Sequence, residues 1–98
     1  MSPIRFLAPA KEEMSASARY YEQQLTGLGH RFLGEVARAL DAIKAYPDSG
    51  APFCGNYRRK LFRLFPYALL YRIEPNEIVI VAVMHQHRKP GYLRNRTD

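Results

Sequence analysis

The fold is decided by residues 67–84, which read YALLYRIEPNEIVIVAVM. Two apolar runs, residues 67–73 and 78–84, flank the polar sequence Glu74-Pro75-Asn76-Glu77. Runs of this length that are rich in β-branched and aromatic residues are typical of strands, and a short break with Pro and Asn favours a turn. The stretch therefore predicts an antiparallel hairpin. Its second strand is apolar on both faces, which indicates a central place in the sheet.

The segment before this hairpin, residues 58–65, predicts another strand. Phe62 and Leu64 would share one face, while Arg59 and Arg63 would lie on the other. Such alternation is typical of a strand with one solvated basic face. Phe65-Pro66 then makes a turn or bulge into the hairpin, so the last three strands are antiparallel.

The first half of the chain predicts two helices. The first starts at Pro9 and runs to about residue 25, with apolar positions at helical spacing: Met14, Ala18, Tyr21 and Leu25. After the break at residues 26–29, the second covers residues 30–45, with an apolar stripe of Phe32, Val36, Leu40 and Ile43. Residues 3–8 predict a first strand whose direction is left open, and residues 48–56, with Pro52 and two glycines, predict a loop. The order indicates one α+β domain, residues 1–98, in which a two-helix hairpin packs on a small antiparallel sheet (β-α-α-β-β-β).

The charge of the chain is concentrated in its second half. Residues 1–50 carry six Lys plus Arg and six Asp plus Glu, whereas residues 51–98 carry nine and three, so the net +6 is local. A local basic excess indicates a surface for an anionic partner. One cysteine excludes an internal disulfide framework, and no apolar run approaches the ~18 residues of a membrane span. We therefore expect a cytoplasmic protein without a membrane partner.

Candidate binding residues form a basic cluster with interleaved tyrosines. Its members in the predicted sheet are Arg58, Arg59, Lys60, Arg63 and Arg72, and those after it are His85, His87, Arg88, Lys89 and Tyr92. His85 and His87 have the i, i+2 spacing of two metal ligands on a strand, but the sequence suggests no third ligand. No glycine and lysine spacing resembles a phosphate loop either. We therefore predict neither a metal site nor a cofactor.

Four segments together resemble the RelE/ParE superfamily of type II toxin–antitoxin toxins. They are RYYE at residues 19–22, GLGHRFLGEV at 27–36, FPYALLYR at 65–72 and AVMHQHRKPGY at 82–92. The similarity covers almost the whole chain in order, and the fold it implies agrees with the one predicted from the residues. It implies a bacterial growth inhibitor that a cognate antitoxin neutralises in a hetero-oligomeric complex.

The superfamily contains two kinds of toxin, and the resemblance leaves three functions open. RelE-like members cleave messenger RNA on the ribosome without a metal, which here would assign catalysis to Tyr92, Arg88, His85 and His87. However, Ala68 and Gln86 stand where that branch carries arginines, which favours a ParE-like poison of DNA gyrase that performs no catalysis. In that case the basic C-terminal segment, Arg88 through Arg96, would contact gyrase or its DNA. The binding residues predicted for the chain are Arg58, Arg59, Lys60, Arg63, Arg72, Lys89, Arg94 and Arg96. The third possibility is a non-toxic binding module of the same fold.

Overall fold

The computed structural model describes residues 2–87, Gly91 and Arg96. Within them the elements are β1 (Ile4–Phe6), α1 (Ala8–Gln24), α2 (Leu28–Ala45), a 3₁₀ turn (Pro47–Ser49), β2 (Ala51–Cys54), β3 (Tyr57–Leu61), β4 (Tyr67–Ile73) and β5 (Ile78–His85). The strand order in the sheet is β1-β5-β4-β3-β2. The pair β1–β5 is parallel and the other three pairs are antiparallel. The predicted α+β architecture, with two helices packed on a sheet, is confirmed.

The loop prediction for residues 48–56 is wrong at residues 51–54, which form β2. Pro52 and the neighbouring glycines made this segment look irregular. However, among the strands that the structure describes β2 pairs only with β3, and Pro52 lies opposite Arg58 in that pair. A proline is tolerated in an edge strand because the outer side of that strand needs no N–H donor. The sheet therefore has one strand more than the sequence indicates.

Two predicted apolar positions are wrong because their elements end earlier than expected. β3 ends at Leu61, and a tight turn follows in which the Tyr67 N–H donates to the Phe65 carbonyl oxygen at 2.7 Å. Beyond the strand the alternation stops, so Phe62 is buried while Leu64 is 63% exposed. Leu25 is equally exposed because α1 ends at Gln24 and Leu25 has extended backbone angles.

The core has two layers, one on each face of the sheet. The predicted stripe of α2 is confirmed: Phe32, Val36 and Ile43 are buried between the helices and the sheet, and Leu40 packs against them. The opposite face has its own apolar cluster, made mainly by β4 and β5. A bulge in β5 brings Val81 and Ala82 to this same face. β5 lies between β1 and β4, as its apolar sequence predicts.

The turn between the helices is held by a carboxylate. Glu22 on α1 accepts hydrogen bonds from the N–H groups of Gly27 (2.9 Å) and Gly29 (3.0 Å), which open α2. These backbone hydrogen bonds lower the pKa of Glu22. Gly29 also lets the helices approach closely, since a Cβ there would lie 2.5 Å from the carbonyl oxygen of Ala18. The connection therefore depends on one acidic residue and one glycine.

The 3₁₀ turn is fastened to the sheet by Tyr71, whose side chain is fully buried. The Tyr71 hydroxyl donates to the carbonyl oxygen of Pro47 at 2.5 Å and accepts from the Gly50 N–H at 3.0 Å. A Cβ on Gly50 would lie 2.5 Å from this hydroxyl. Tyr71 therefore sets where Asp48 and Ser49 lie beside β3.

Candidate functional site

The basic residues of β3 are divided between the two faces of the sheet. In the antiparallel register, Arg58 pairs with Tyr71 and Lys60 with Leu69, whose side chains belong to the helix-side core. Arg59 pairs with Leu70, which belongs to the cluster on the opposite face. Because paired residues in an antiparallel ladder share a face, Arg58 and Lys60 lie on the helix side and Arg59 lies on the other. The predicted cluster is therefore two separate groups of cations.

On the helix side, Arg58 and Lys60 are bound to the chain that follows α2. The Arg58 guanidinium donates to the carbonyl oxygens of Asp48 (3.2 Å) and Gly50 (2.7 Å), and the Lys60 Nζ donates to the Ser49 hydroxyl (3.2 Å). The Arg58 side chain remains 30% exposed. These two cations are thus positioned by the 3₁₀ turn at the margin of the sheet.

The face opposite the helices carries Arg59 and Arg72 among partly exposed apolar residues. The Arg59 guanidinium lies 5.5 Å from the centroid of the Phe53 ring. Arg72 lies beside Tyr57 on the neighbouring strand, and its Nε donates to the Glu74 carboxylate at 2.8 Å. We call Phe53, Tyr57, Arg59 and Arg72 the open-face group. The rings of this group can contact apolar side chains of a partner, and its cations can attract anionic ones.

Arg63 is exposed at the turn after β3, and a buried carboxylate holds its backbone. Glu35 on α2 accepts from the Arg63 N–H at 2.8 Å and from the Arg38 guanidinium. Burial by itself would raise the pKa of Glu35, but the Arg63 hydrogen bond and the Arg38 charge outweigh it and hold this pKa below its ordinary value. Glu35 therefore ties the turn that carries Arg63 to α2.

His85 and His87 are neighbours at the end of β5. Their ring centroids lie 5.1 Å apart, and the His87 N–H donates to Nδ1 of His85 at 3.3 Å. The Tyr67 ring packs edge-on against His85 at 5.7 Å. The cavity beside His85 measures about 180 Å³, which is below the roughly 300–1,000 Å³ of small-molecule sites.

Arg96, predicted as a binding residue, makes contacts within the chain. Its guanidinium donates to the Glu13 carboxylate at 2.7 and 3.1 Å and to the carbonyl oxygen of Val81 at 3.0 Å. Its side chain is 14% exposed. The other predicted site residues of the C-terminal segment lie outside the described residues: Arg88, Lys89, Tyr92 and Arg94.

The part of the chain that the structure describes contains no group of three or more His, Cys, Asp or Glu side chains placed to hold a metal ion. His85 and His87 are therefore two residues of a metal-binding type, without a third such side chain beside them among the described residues. Neither helix of that part combines the length and apolar character that a membrane crossing needs.

Comparison with known proteins identifies the family of this basic, two-layered domain. Residues 4–90 match the family described as the ParE toxin of the type II toxin–antitoxin system parDE. The chain belongs to the ParE toxin family. A protein of Sinorhizobium fredii named "Putative toxin Y4kP" is 30% identical over 87 residues, which are 88% of this chain and 90% of that protein. A chain of the chromosomal ParDE system from P. aeruginosa has the same fold, with a TM-score of 0.75 at 13% identity, over 87% of this chain and 96% of that chain.

Membership of the ParE family makes this protein the toxin component of a type II toxin–antitoxin system and confirms the ParE-like branch of the resemblance. The match takes in every described helix and strand, together with His85, His87, Arg88 and Lys89. Tyr92, Arg94 and Arg96 follow the matched residues. The roles of individual site residues in this ParE-family toxin stay predictions.

The carboxylates that organise this surface are absent from the sequence prediction. Glu13, Glu22 and Glu35 each accept hydrogen bonds from backbone N–H groups far along the chain or across a turn. A sequence does not distinguish a glutamate that is exposed to solvent from one that accepts backbone hydrogen bonds, because the N–H groups that donate to it are brought close only by folding.

Proposed function

We propose that this protein poisons DNA gyrase and is held inactive by a cognate antitoxin that binds its basic surface. The observation that carries the proposal is the ParE family match over residues 4–90. The net charge of +6 supports it, because it favours both an acidic antitoxin segment and a target that works on DNA. The two functions use different parts of the surface.

The antitoxin contact is assigned to the open-face group. Phe53 and Tyr57 are partly exposed and adjoin the apolar cluster of β4 and β5, and Arg59 lies over Phe53. An extended segment with alternating acidic and apolar side chains would pair a carboxylate with Arg59 and cover the rings. A face of mixed character therefore suits an antitoxin better than it suits bare nucleic acid.

The gyrase contact is assigned to the basic segment that follows β5. Arg88, Lys89 and Arg94 lie in this segment, directly after the His85–His87 pair. Clustered cations accelerate association with an acidic protein surface or with DNA, and they do so without catalysis. In the described part of the chain, the Tyr67 ring packs against His85, which lies three residues before this segment in the sequence.

The buried position of Ala68 argues against ribonuclease chemistry. Ala68 is fully buried on β4 opposite Met84, in the apolar cluster of the open face. The RelE-like branch needs a cation at this position, and here the side chain is a methyl group enclosed by apolar neighbours. Charge on a phosphorane would therefore lack a stabilising group that the cleavage route uses.

The first experiment measures gyrase supercoiling and DNA cleavage complexes with the purified toxin, alone and with its antitoxin. We expect the toxin to inhibit supercoiling and the antitoxin to restore it. A triple variant, Arg88→Gln with Lys89→Gln and Arg94→Gln, should weaken inhibition by about tenfold or more. Its matched control removes three exposed helix cations, Arg19, Arg31 and Lys44, and should inhibit as the wild type does.

A parallel assay measures cleavage of ribosome-bound messenger RNA. Cleavage of messages without inhibition of gyrase would refute the proposal. Growth that continues normally with both targets intact would instead support a non-toxic binding module. For the antitoxin surface, Arg59→Glu should weaken the complex by about tenfold or more, since it opposes the acidic partner. Arg31→Glu, with the same charge change on exposed α2, is its control.

A further inference from the structure

A shallow groove lies on the outside of the helical hairpin, where α1 and α2 pack against each other. Gly29 allows the close packing, since a Cβ there would lie 2.5 Å from the Ala18 carbonyl oxygen. The groove is lined by Ala18, Arg19, Glu22, Gly29, His30 and Leu33. Its accessible lining is almost entirely apolar. Covering such a surface with another apolar group is favourable, because it removes apolar area from water.

The groove offers little to a small polar ligand. Its acidic member, Glu22, already accepts hydrogen bonds from the N–H groups of Gly27 and Gly29. Among the described residues, no buried side-chain polar atom lacks a hydrogen-bond partner. Small-molecule sites usually orient their ligand with a few polar groups that converge on it. The groove therefore suits an apolar side chain of a macromolecule.

Leu33 lies beside the groove and is itself 42% exposed. It is the one exposed large apolar residue of α2, a helix that the structure describes in full. The neighbouring Gly34 and Ala37 are also exposed, and their small size lets another helix approach this side of α2. A two-fold axis close to Leu33 would place the Leu33 of each copy in the groove of the other. The surface is therefore self-complementary in shape.

The charges of the helical hairpin are balanced, unlike those of the sheet. Residues 1–50 carry six Lys plus Arg and six Asp plus Glu, so the net charge of +6 belongs to residues 51–98. At the rim of the groove, Arg19 and Glu22 are one helical turn apart on α1, and a two-fold contact allows Arg19 of each copy to face Glu22 of the other. Two copies of a cationic protein repel each other least when they meet through a neutral surface. The hairpin is such a surface, and the open-face group lies on the opposite face of the sheet.

The size of the hairpin also fits a contact between two copies. α1 and α2 contain 17 and 18 residues. Helices of this length are about 26 Å long and, with side chains, about 10 Å wide, so the pair presents a face of about 500 Å². Two such faces would bury about 1,000 Å² in total, which is the lower limit for a specific interface. We therefore expect a dissociation constant on the order of micromolar.

We propose that the groove is a self-association site: two copies of the antitoxin-free toxin pair across a two-fold axis, with Leu33 of each seated in the groove of the other. A second copy fits this site better than the antitoxin does. An acidic antitoxin segment gains less from a surface of balanced charge than from the basic face of the sheet. The dimer leaves both open-face groups uncovered, and the inference does not depend on which target the toxin inhibits.

The test measures the oligomeric state of the purified toxin by sedimentation velocity between about 1 and 100 μM. We expect the wild type to change from monomer to dimer over this range. Leu33→Asp puts a charge into the apolar groove and should raise the dissociation constant by about tenfold or more. Leu64→Asp is the matched control, because Leu64 is also exposed but lies on the turn after β3 and does not line the groove. This variant should dimerise as the wild type does.

A charge reversal tests the rim of the groove. Arg19→Glu would place like charges opposite each other at both ends of the two-fold contact, so it should also weaken the dimer by about tenfold. Arg31→Glu makes the same change at an exposed position of α2 that does not line the groove, and it should leave the dissociation constant unchanged. Thermal melts check that each variant folds. If Leu33→Asp does not fold, the comparison of the two arginine variants still decides.

Three outcomes would overturn the inference. The first is a wild type that stays monomeric at the highest concentration. The second is a dimer that Leu33→Asp and Leu64→Asp weaken equally, or one that both arginine variants weaken equally, because the contact would then lie elsewhere. The third is a monomeric toxin whose affinity for the antitoxin falls in Leu33→Asp and not in Leu64→Asp, which would assign the groove to the antitoxin.

Discussion

Replacing Tyr71 with Phe tests how the 3₁₀ turn and its cations are held in place. The substitution removes one oxygen atom and keeps the ring that fills the core. That oxygen makes two hydrogen bonds, to the Pro47 carbonyl and from the Gly50 N–H. Both backbone groups belong to the segment that binds Arg58, so the perturbation links core stability to the binding surface.

The magnitude follows from these two hydrogen bonds. Each is worth about 0.5–1.5 kcal/mol net, and a buried donor left without a partner costs about 1–3 kcal/mol. Gly50 is buried, so its N–H is not readily rehydrated. We expect Tyr71→Phe to lower the free energy of unfolding by about 2–3 kcal/mol. For a domain of this size, that corresponds to a fall in Tm of roughly 10–20 °C.

The assay is urea denaturation followed by circular dichroism, with Tyr46→Phe as the matched control. Tyr46 precedes the same turn and is 73% exposed, so losing its hydroxyl should change the free energy of unfolding by less than about 0.5 kcal/mol. The reasoning is refuted if the two variants have the same stability, because the buried hydroxyl would then contribute nothing that the exposed one does not.

The pH dependence gives a second readout of the same substitution. Burial raises the pKa of Tyr71 above its ordinary value. A raised pKa in the folded state contributes stability that is complete below the unfolded pKa, about 10, and is lost as pH rises through the folded pKa. The stability advantage of the wild type over Tyr71→Phe should therefore shrink at strongly alkaline pH. An advantage that grows there would contradict the buried, neutral hydroxyl.

Two further predictions concern the helices. Glu35→Gln should lower the free energy of unfolding at pH 7 by about 1–3 kcal/mol, since it weakens the hydrogen bond that holds the Arg63 turn. Because folding lowers the pKa of Glu35, this loss should shrink as the pH falls below 4.5, the ordinary pKa of the group. Urea titrations at several pH values, with Glu12→Gln as control, test this, and a loss that is the same at every pH would contradict it. Gly29→Ala should destabilise by about 1–3 kcal/mol, because the new Cβ would lie 2.5 Å from the Ala18 carbonyl oxygen. In Gly34→Ala, on the same helix, the new Cβ would have no atom within 4 Å, so this variant should be more stable than the wild type by about 0.5–1 kcal/mol. Thermal melts of the two variants should therefore shift in opposite directions, and shifts of the same sign would disprove the close approach at Gly29.

The elements that were predicted well are those whose own residues repeat with a clear period. The stripe from Phe32 to Ile43 needs only the helical repeat, and the bounds of β4 follow from its apolar run. β2 was missed because an edge strand tolerates Pro52, and edge position is a property of the assembled sheet. Leu64 was misplaced because the strand pattern was extended through the turn, where alternation no longer holds.

The sequence by itself determined the class of the fold and the family, because hydrophobic periods, turn residues and the order of short motifs are all written along the chain. It also determined that the net positive charge belongs to the second half. The tertiary structure alone decided how that charge is used. Strand pairing placed Arg58 and Arg59 on opposite faces, and folding brought Glu13 and Arg96, 83 positions apart, into a shielded ion pair on β5. The physical reason is that a cation's role depends on its partner and its exposure, and both are set by contacts between residues distant in the chain.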